Sequence, residues 1–278
     1  MILSSVILFF AFYVGWIKWI YHRYHRTSVM SGLLSNDPEH KRGFRDVQET
    51  SLALDSGRAL FVIAHPDDEC MFFSPSIIML LKQNVSVQLL CLSSGNYYNQ
   101  GVQRKKELLD SAAVLGIAAS QVFIIEHKDL QDDPKAEWSI SLTSNLILRH
   151  IQTHSINVVL TFDGSGVSGH ANHIAIYKAL SHLAVTGKVP HDCHVLVLNT
   201  ISIFRKYLSI LELPISWLIP SDLCCILSSK EYKQAKRAMF CHRSQLLWFR
   251  HLYILFSRYM FVNTFHDIPL SRKDIKVY

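Results

Sequence analysis

Charge, cysteine and repetitive sequence are all in short supply in this chain, and each shortage removes a class of protein. Charged residues make up 18% of the 278 and apolar ones 49%, which is the balance of a chain that folds rather than one kept disordered by charge. The six cysteines, at positions 70, 91, 193, 224, 225 and 241, are neither dense nor paired as CxxC. A disulfide framework and a cysteine-type zinc site are therefore excluded, and a reducing compartment fits best. Lys and Arg exceed Asp and Glu by 6, yet acids are scattered among them and no basic block forms, so nucleic acid is not expected as a partner. There is no G-x-S-x-G, no H-E-x-x-H and no P-loop lysine, which removes three familiar hydrolase and nucleotide-binding devices. The length suits one large α/β domain or two small ones.

No charge occurs before Lys18 and no acid before Asp37. Met1 to Ile17 are dominated by Ile, Leu, Val, Phe and Ala, at the short end of the roughly 17–25 residues a spanning helix needs. An aromatic and cationic flank follows, from Lys18 and Trp19 to Arg26, and cations on that side of a span predict that the body lies in the cytosol. A cleavable signal peptide would carry its cations before the apolar run. The expected organisation is a single-pass transmembrane anchor over residues 1–20, a polar linker over 21–56, a catalytic body over 57–265 and a tail over 266–278. A buried or interfacial first helix is the competing reading. Asn84-Val85-Ser86 is the sole N-x-[ST] sequon, and it would be open to glycosylation only if the body were luminal.

Along the body, short continuous apolar runs at residues 60–64, 85–92, 122–125, 157–162 and 194–198 alternate with helical patterns at 72–82, 103–115, 142–154 and 173–184. Alternation of this kind predicts an α/β fold, a Rossmann-like and mostly parallel sheet with helices on both faces. Ligands in such sheets bind beyond the carboxyl ends of the strands. The loops there hold His65-Pro66-Asp67-Asp68-Glu69, then Ser93-Ser94-Gly95-Asn96-Tyr97-Tyr98, then Asp163 to His173.

A hydrolytic zinc ion wants three protein ligands from His and carboxylate, an open position and a nearby base. His65 and Asp68 sit three residues apart where a strand turns into a helix, with Asp67 left free between them; His170 and His173 share one helical face. Together they offer three ligands, a base and a spare imidazole. Taken singly, each cluster has a plainer reading, Asp67 or Asp68 as a helix cap and the histidines as solvated side chains. Gly164-Ser165-Gly166-Val167-Ser168-Gly169 also satisfies G-x-G-x-x-G. The strand after it ends at Asn199 and Thr200 without the acid that holds a ribose, so no nucleotide is expected and the glycines read as a loop that lets backbone approach substrate.

AHPDDE after the first strand, together with SSGNYYNQG, RKKEL, TFD, GVSGHANH and CHRSQLLWFR, resembles the PIG-L de-N-acetylases of glycosylphosphatidylinositol-anchor biosynthesis, within the wider LmbE-like zinc deacetylase family. The resemblance covers about residues 59–260. It implies an endoplasmic reticulum membrane enzyme that removes acetate from the amino sugar of a phosphoinositide glycolipid, with Zn2+ or another divalent metal as cofactor. It further implies His65, Asp68 and His173 as metal ligands, Asp67 as general base and a protonated His170 as acid or oxyanion support. Arg104, Asn96 and His242 are implied on the substrate side, Arg104 towards the inositol phosphate. Two other functions remain beside it: a catalytically silent membrane subunit, against which the complete His65, Asp67, Asp68, His173 set argues, and a deacetylase of another N-acetyl amino sugar, against which the anchor argues.

Two late segments, 208–227 and 246–262, are rich in large apolar residues but contain Glu212, Asp222, Arg250 and Arg258, which argues against spanning. Core packing and an interfacial position both fit them. Trp248, Tyr253, Arg250 and Arg258 are the side chains expected at a lipid boundary. After Met260 no motif is recognisable and no role is assigned.

Overall fold

The computed structural model describes residues 2–24, 57–134 and 136–268. The first of these segments is one helix, Ile2–Tyr24, about 34 Å long at about 1.5 Å per residue and so long enough for a hydrocarbon core of about 30 Å. By length and composition it is a membrane-span candidate. It runs past residue 20 into the segment read as linker, whose residues 25–56 lie outside the described residues, as do 269–278 of the tail. Only one narrow stripe of it is covered: Ile17 and Ile20 pack with Leu213, Cys224, Ile226 and Val262, and the Tyr13 hydroxyl donates to the Leu211 carbonyl.

The body is built on strands β1 (Arg58–Ile63), β2 (Ser86–Cys91), β3 (Val122–Ile124), β4 (Val158–Phe162), β5 (His194–Leu198), β6 (Leu223–Ile226) and β7 (Val262–Asp267). They form a single mixed sheet in the order β3-β2-β1-β4-β5-β7-β6. The first five are parallel, and β7 runs antiparallel to both β5 and β6. Parallel strands are buried on both faces, which is why 60–64 and 158–162 read as unbroken apolar runs; Leu60 to Ile63 and Val159 to Leu160 are wholly covered. From β1 the chain steps one way to β2 and β3, and from β4 the other way to β5. Right-handed crossovers therefore put helices Ser74–Lys82 and Gly101–Leu115 on one face and Ile140–His154 and Ala171–Val185 on the other. The latter two pack against each other, and Gly101–Leu115 packs against Ser229–Met239.

The parallel part agrees with the hydrophobic pattern; the antiparallel edge does not follow from it. Val262–Asp267 falls largely in the stretch given no role, yet it is inserted between β5 and β6 with Val262 and Phe265 buried. Asn263 is satisfied by groups far away in sequence, and Thr264 by Arg258 on the turn just before the strand. Asn263 accepts from the Ser76 hydroxyl at 2.6 Å and donates to the Phe72 carbonyl at 2.9 Å, and Thr264 accepts from Arg258 at 2.9 Å.

Arg258 and Glu212 are not boundary residues. Both are completely buried and paired at 3.0 Å, with the Ser216 hydroxyl accepting from Arg258 at 2.6 Å. Arg205 also donates to Glu212, from Nε at 2.8 Å, so removing Arg258 takes away charged hydrogen bonds without stranding the carboxylate. Arg258→Met is thus expected to lower the unfolding free energy by about 1.5–3 kcal/mol, read from urea midpoints at unchanged slope. A loss under about 1 kcal/mol would mean that water reaches the pair.

Candidate active site

The strand order reverses between β1 and β4, and in an open α/β sheet the crevice at that point, beyond the carboxyl ends, is where ligands bind. His65 to Glu69 leave β1 there, and Asp163 to His173 leave β4. Topology alone therefore brings together two clusters separated by about a hundred residues of chain.

The ring centroids of His65 and His170, and of His170 and His173, are each 4.8 Å apart, and one nitrogen from each of the three rings lies within 4.8 Å of the others. Asp68 joins them from below. Its Oδ2 accepts from the backbone N–H groups of Ala64 and His65 at 2.9 Å and stands 3.9 Å from His65 Nδ1, and its Oδ1 stands 3.2 Å from His173 Nε2. Burial alone would raise the Asp68 carboxyl, but the imidazoles of His173 and His65 outweigh it and hold the group below the usual carboxylate range. The orientation of each ring is set on its far side. His173 stacks on Phe162, centroids 3.8 Å apart, and its Nδ1 faces the Gly166 carbonyl at 3.1 Å. His65 Nε2 meets Asn172 Oδ1 at 3.0 Å and Asp132 Oδ1 at 3.1 Å. Burial and the neighbouring imidazoles push His170 down to about 4, so at pH 7 it is the neutral imidazole. Its Nδ1 accepts from the Asn172 N–H at 3.3 Å, which leaves the proton on Nε2.

Asp67 lies beside this group with a backbone φ of 124°, a region that residues with a Cβ avoid. The strained turn is held at both ends: the Asp67 N–H donates to Glu69 Oε2 at 3.1 Å, and its carbonyl accepts from the Met71 N–H at 2.9 Å. The carboxylate stands between two guanidiniums, Arg104 at 3.4 Å and Arg250 at 3.3 Å. Burial raises the Asp67 pKa against the opposing pull of Arg104 and Arg250, the direction a general base requires.

The loop Asp163–His170 carries a second outlier, Val167 at φ 63°, and a β-branched residue there signals strain. It is tied down through Thr200, whose N–H and hydroxyl donate to Asp163 at 2.7 and 2.6 Å and whose Oγ1 accepts the Val167 N–H at 2.9 Å. Thr200, which stands where a dinucleotide fold would carry an acid, thus braces the loop that presents His170.

His65, Asp67, Asp68, His170 and His173 line a cavity of about 680 Å³ whose wall also includes Tyr97, Tyr98, Tyr207, Trp248, Phe249 and Phe256. Residues 60–184 match the family described as PIG-L, GlcNAc-PI de-N-acetylase. The N-acetylglucosaminyl-phosphatidylinositol de-N-acetylase of Bos taurus is 50% identical over 78% of this chain and 86% of its own length. The protein of the same name from Saccharomyces cerevisiae is 33% identical over 73% of this chain and 79% of its own. The chain belongs to the GlcNAc-PI de-N-acetylase family. The family body also has fold neighbours at low identity: N,N'-diacetylchitobiose deacetylase from Pyrococcus horikoshii superposes with a TM-score of 0.57 at 15% identity, over 78% of this chain and 85% of that one.

In this GlcNAc-PI de-N-acetylase family member the structure gathers His65, Asp67, Asp68, His170, His173 and Arg104 around one cavity. It does not bring Asn96 or His242 into it. Asn96 is exposed and its side chain accepts the Gly101 N–H at 2.9 Å, fixing the start of helix Gly101–Leu115. His242 is fully buried, 2.7 Å from Glu69, and does not line the cavity. Arg104 is largely committed elsewhere, donating to the Pro66 and Gly95 carbonyls at 2.7 and 3.1 Å and to Asp132 at 3.0 Å. The cations facing the mouth are Arg250 and Lys206. Asp132, Asn172 and Lys206 were not legible as site residues; each lies in a segment without a motif of its own, except Asn172, whose place inside HANH is the one available signal.

Proposed function

We propose that this chain is a membrane-anchored, zinc-dependent amidase that removes the acetyl group of N-acetylglucosaminyl-phosphatidylinositol, releasing acetate and the glucosaminyl lipid for GPI-anchor assembly. The observation that carries it is the meeting of Asp67 and Asp68 with His65, His170 and His173 at the β1/β4 reversal, in a chain of this family. A metal fits the residues present. His173 Nε2 and Asp68 Oδ1 stand 3.2 Å apart without the alignment of a hydrogen bond, two ligand atoms facing one point; Asp68 is kept ionised, and His65 is braced through its far nitrogen by an amide and a carboxylate, as metal-ligating imidazoles are. The ligands would be His65, Asp68 and His173, a nitrogen and oxygen set that suits zinc. Held there, zinc supplies Lewis acidity and a water of lowered pKa.

Asp67 accepts the proton of the attacking water while Arg104 and Arg250 fix its carboxylate. The Nε2–H of neutral His170, rather than an imidazolium, donates to the oxygen that gains charge on the acetamide. Asp67 then returns its proton to the leaving amine, and Arg250 and Lys206 at the mouth meet the inositol phosphate.

The test is acetate release from the N-acetylglucosaminyl lipid in vesicles, with metal analysis of the purified full chain. Turnover is expected to vanish with a chelator and return with zinc, and His173→Ala is expected to lose metal and activity together. A second ligand set is favoured by the clustering of the three imidazoles within 4.8 Å. His170→Ala separates the two: metal retained with activity lost supports Asp68 as ligand, and metal lost supports His170.

The span candidate followed by Lys18, Arg23 and Arg26 supports a single pass with the body in the cytosol, and the glycolipid reading supports the endoplasmic reticulum membrane. Asn84 is exposed ahead of β2, so a glycosidase-sensitive mobility shift in cells would place the body in the lumen; none is expected.

A further inference from the structure

Helix Trp248–Phe256 faces the core through Tyr253 and Ile254, yet its opposite face is also apolar. Trp248 is 75% exposed, and Phe249, Leu252, Leu255 and Phe256 are exposed beside it. A helix that exposes a row of large apolar side chains opposite its buried ones belongs against something else. The segment 203–211 continues the patch with Ile203 and Phe204, the latter 84% exposed, and Tyr207 and Leu208. The two segments are neighbours, since Lys206 and Tyr207 line the same cavity as Trp248 and Phe249. From Leu211 the patch reaches helix Ile2–Tyr24 through the Tyr13 hydroxyl bond and the packing of Ile17 and Ile20 on Leu213.

We infer that the mouth of the site is seated on the bilayer surface by this patch, with Ile203, Phe204, Trp248 and Leu255 entering the headgroup and upper acyl region. Three observations favour lipid over a protein partner. The patch is continuous with the one helix, among the described residues, long and apolar enough to cross a membrane. Segments 203–211 and 247–256 contain no acid; Arg205 and Arg250 are paired with Glu212 and Asp67, and Lys206 and His251 are the basic side chains left to face anionic headgroups. Trp and Tyr at the cavity rim are the residues that favour the membrane–water interface. The glycolipid then enters a cavity that opens where its headgroup already lies, and its acyl chains need not leave the membrane. The inference rests on the glycolipid reading for its purpose; the docking itself is measured without turnover.

The experiment uses the full chain in vesicles of phosphatidylcholine and phosphatidylinositol with brominated acyl chains, which quench tryptophans at the interface. The signal of Trp248, taken as the difference between wild type and Trp248→Phe, is expected to be quenched, and to escape quenching when Phe204, Leu247 and Leu255, none of which lines the cavity, are all changed to Gln. The same triple variant is expected to lose about tenfold in acetate release from lipid in vesicles, the scale of losing part of an interfacial apolar anchor. It is expected to keep wild-type release from the water-soluble headgroup lacking acyl chains. Unquenched Trp248 in wild type, or equal loss on the two substrates, overturns the docking. So does concentration-dependent cross-linking between chains through this face, which would give it to a protein partner. If wild type releases acetate from neither substrate but Trp248 is quenched, the docking stands and the substrate reading fails.

Discussion

Asp67→Asn is expected to fold, to bind metal as wild type does, and to release acetate about 10²–10⁴-fold more slowly, the usual contribution of a positioned general base. The carboxamide keeps the size of the side chain and one oxygen for Arg104 or Arg250, and the Asp67 N–H bond to Glu69 is untouched. What is lost is the capacity to take a proton. The measurement is kcat and KM on the vesicle substrate beside metal content and thermal midpoint. A fall in kcat at unchanged KM and metal content is the expected result; wild-type turnover would remove Asp67 from the mechanism. Arg104→Lys is expected to act in the same direction more weakly, because one ammonium cannot reach Pro66, Gly95, Asp67 and Asp132 together as the guanidinium does.

Glu69→Gln is expected to cost about 3–5 kcal/mol of stability, as is His242→Ala. The pair is wholly buried at 2.7 Å, and Glu69 also accepts from the Ser111 hydroxyl. Burial opposes the charge on both groups, but each partner outweighs it: His242 is held above its usual value and Glu69 below its own. A raised imidazole contributes its stabilisation at low pH and loses it as pH rises through the folded value; a lowered carboxylate contributes at high pH and loses it as pH falls. The difference between wild type and either variant is therefore largest at mildly acid pH, above the ordinary carboxylate value of 4.5 and below the ordinary imidazole value of 6.5, and shrinks toward both extremes. Chemical denaturation across pH checks it, and a flat difference would show that the pair does not carry the effect. The double replacement Glu69→Met with His242→Leu is expected to recover much of the lost stability, since a buried ion pair replaced by apolar side chains often costs little. It is not expected to recover turnover, because the Asp67 N–H then has no acceptor and the φ of 124° loses its hold.

Much of this protein was legible from its letters because the deciding physics is local. Apolar runs of strand length alternating with helical patterns specify parallel strands covered on both faces, and HPDDE and HANH place ligand-type side chains at the ends of β1 and the start of the helix after β4. An uncharged stretch ahead of Lys18 specifies a span candidate in the same way. The antiparallel pair β6–β7 is different: Asn263 and Thr264 are tolerated inside a sheet because Ser76, Phe72 and Asn199 meet them, and no window of sequence contains those partners. The interior positions of Arg258 and Glu212 have the same cause, since two charges are buried only as a pair and pairing is a matter of folded distance.

The site divides along the same line. Which residue types are available, His65, Asp67, Asp68, His170 and His173, is written in two short motifs. Which neighbours tune them is a property of the assembled fold: Asp132 and Asn172 against His65, Phe162 behind His173, Glu69 on the Asp67 N–H, and His242 buried behind Glu69. These contacts span up to 173 residues of chain, and only the packing of helices on the sheet brings such groups within hydrogen-bonding reach. Composition could say that the late segments were apolar; the burial of Tyr253 and Ile254 and the exposure of Trp248, Leu252 and Leu255 were decided when that helix docked, because large apolar side chains on both sides of a helix leave the choice of buried face to tertiary contacts.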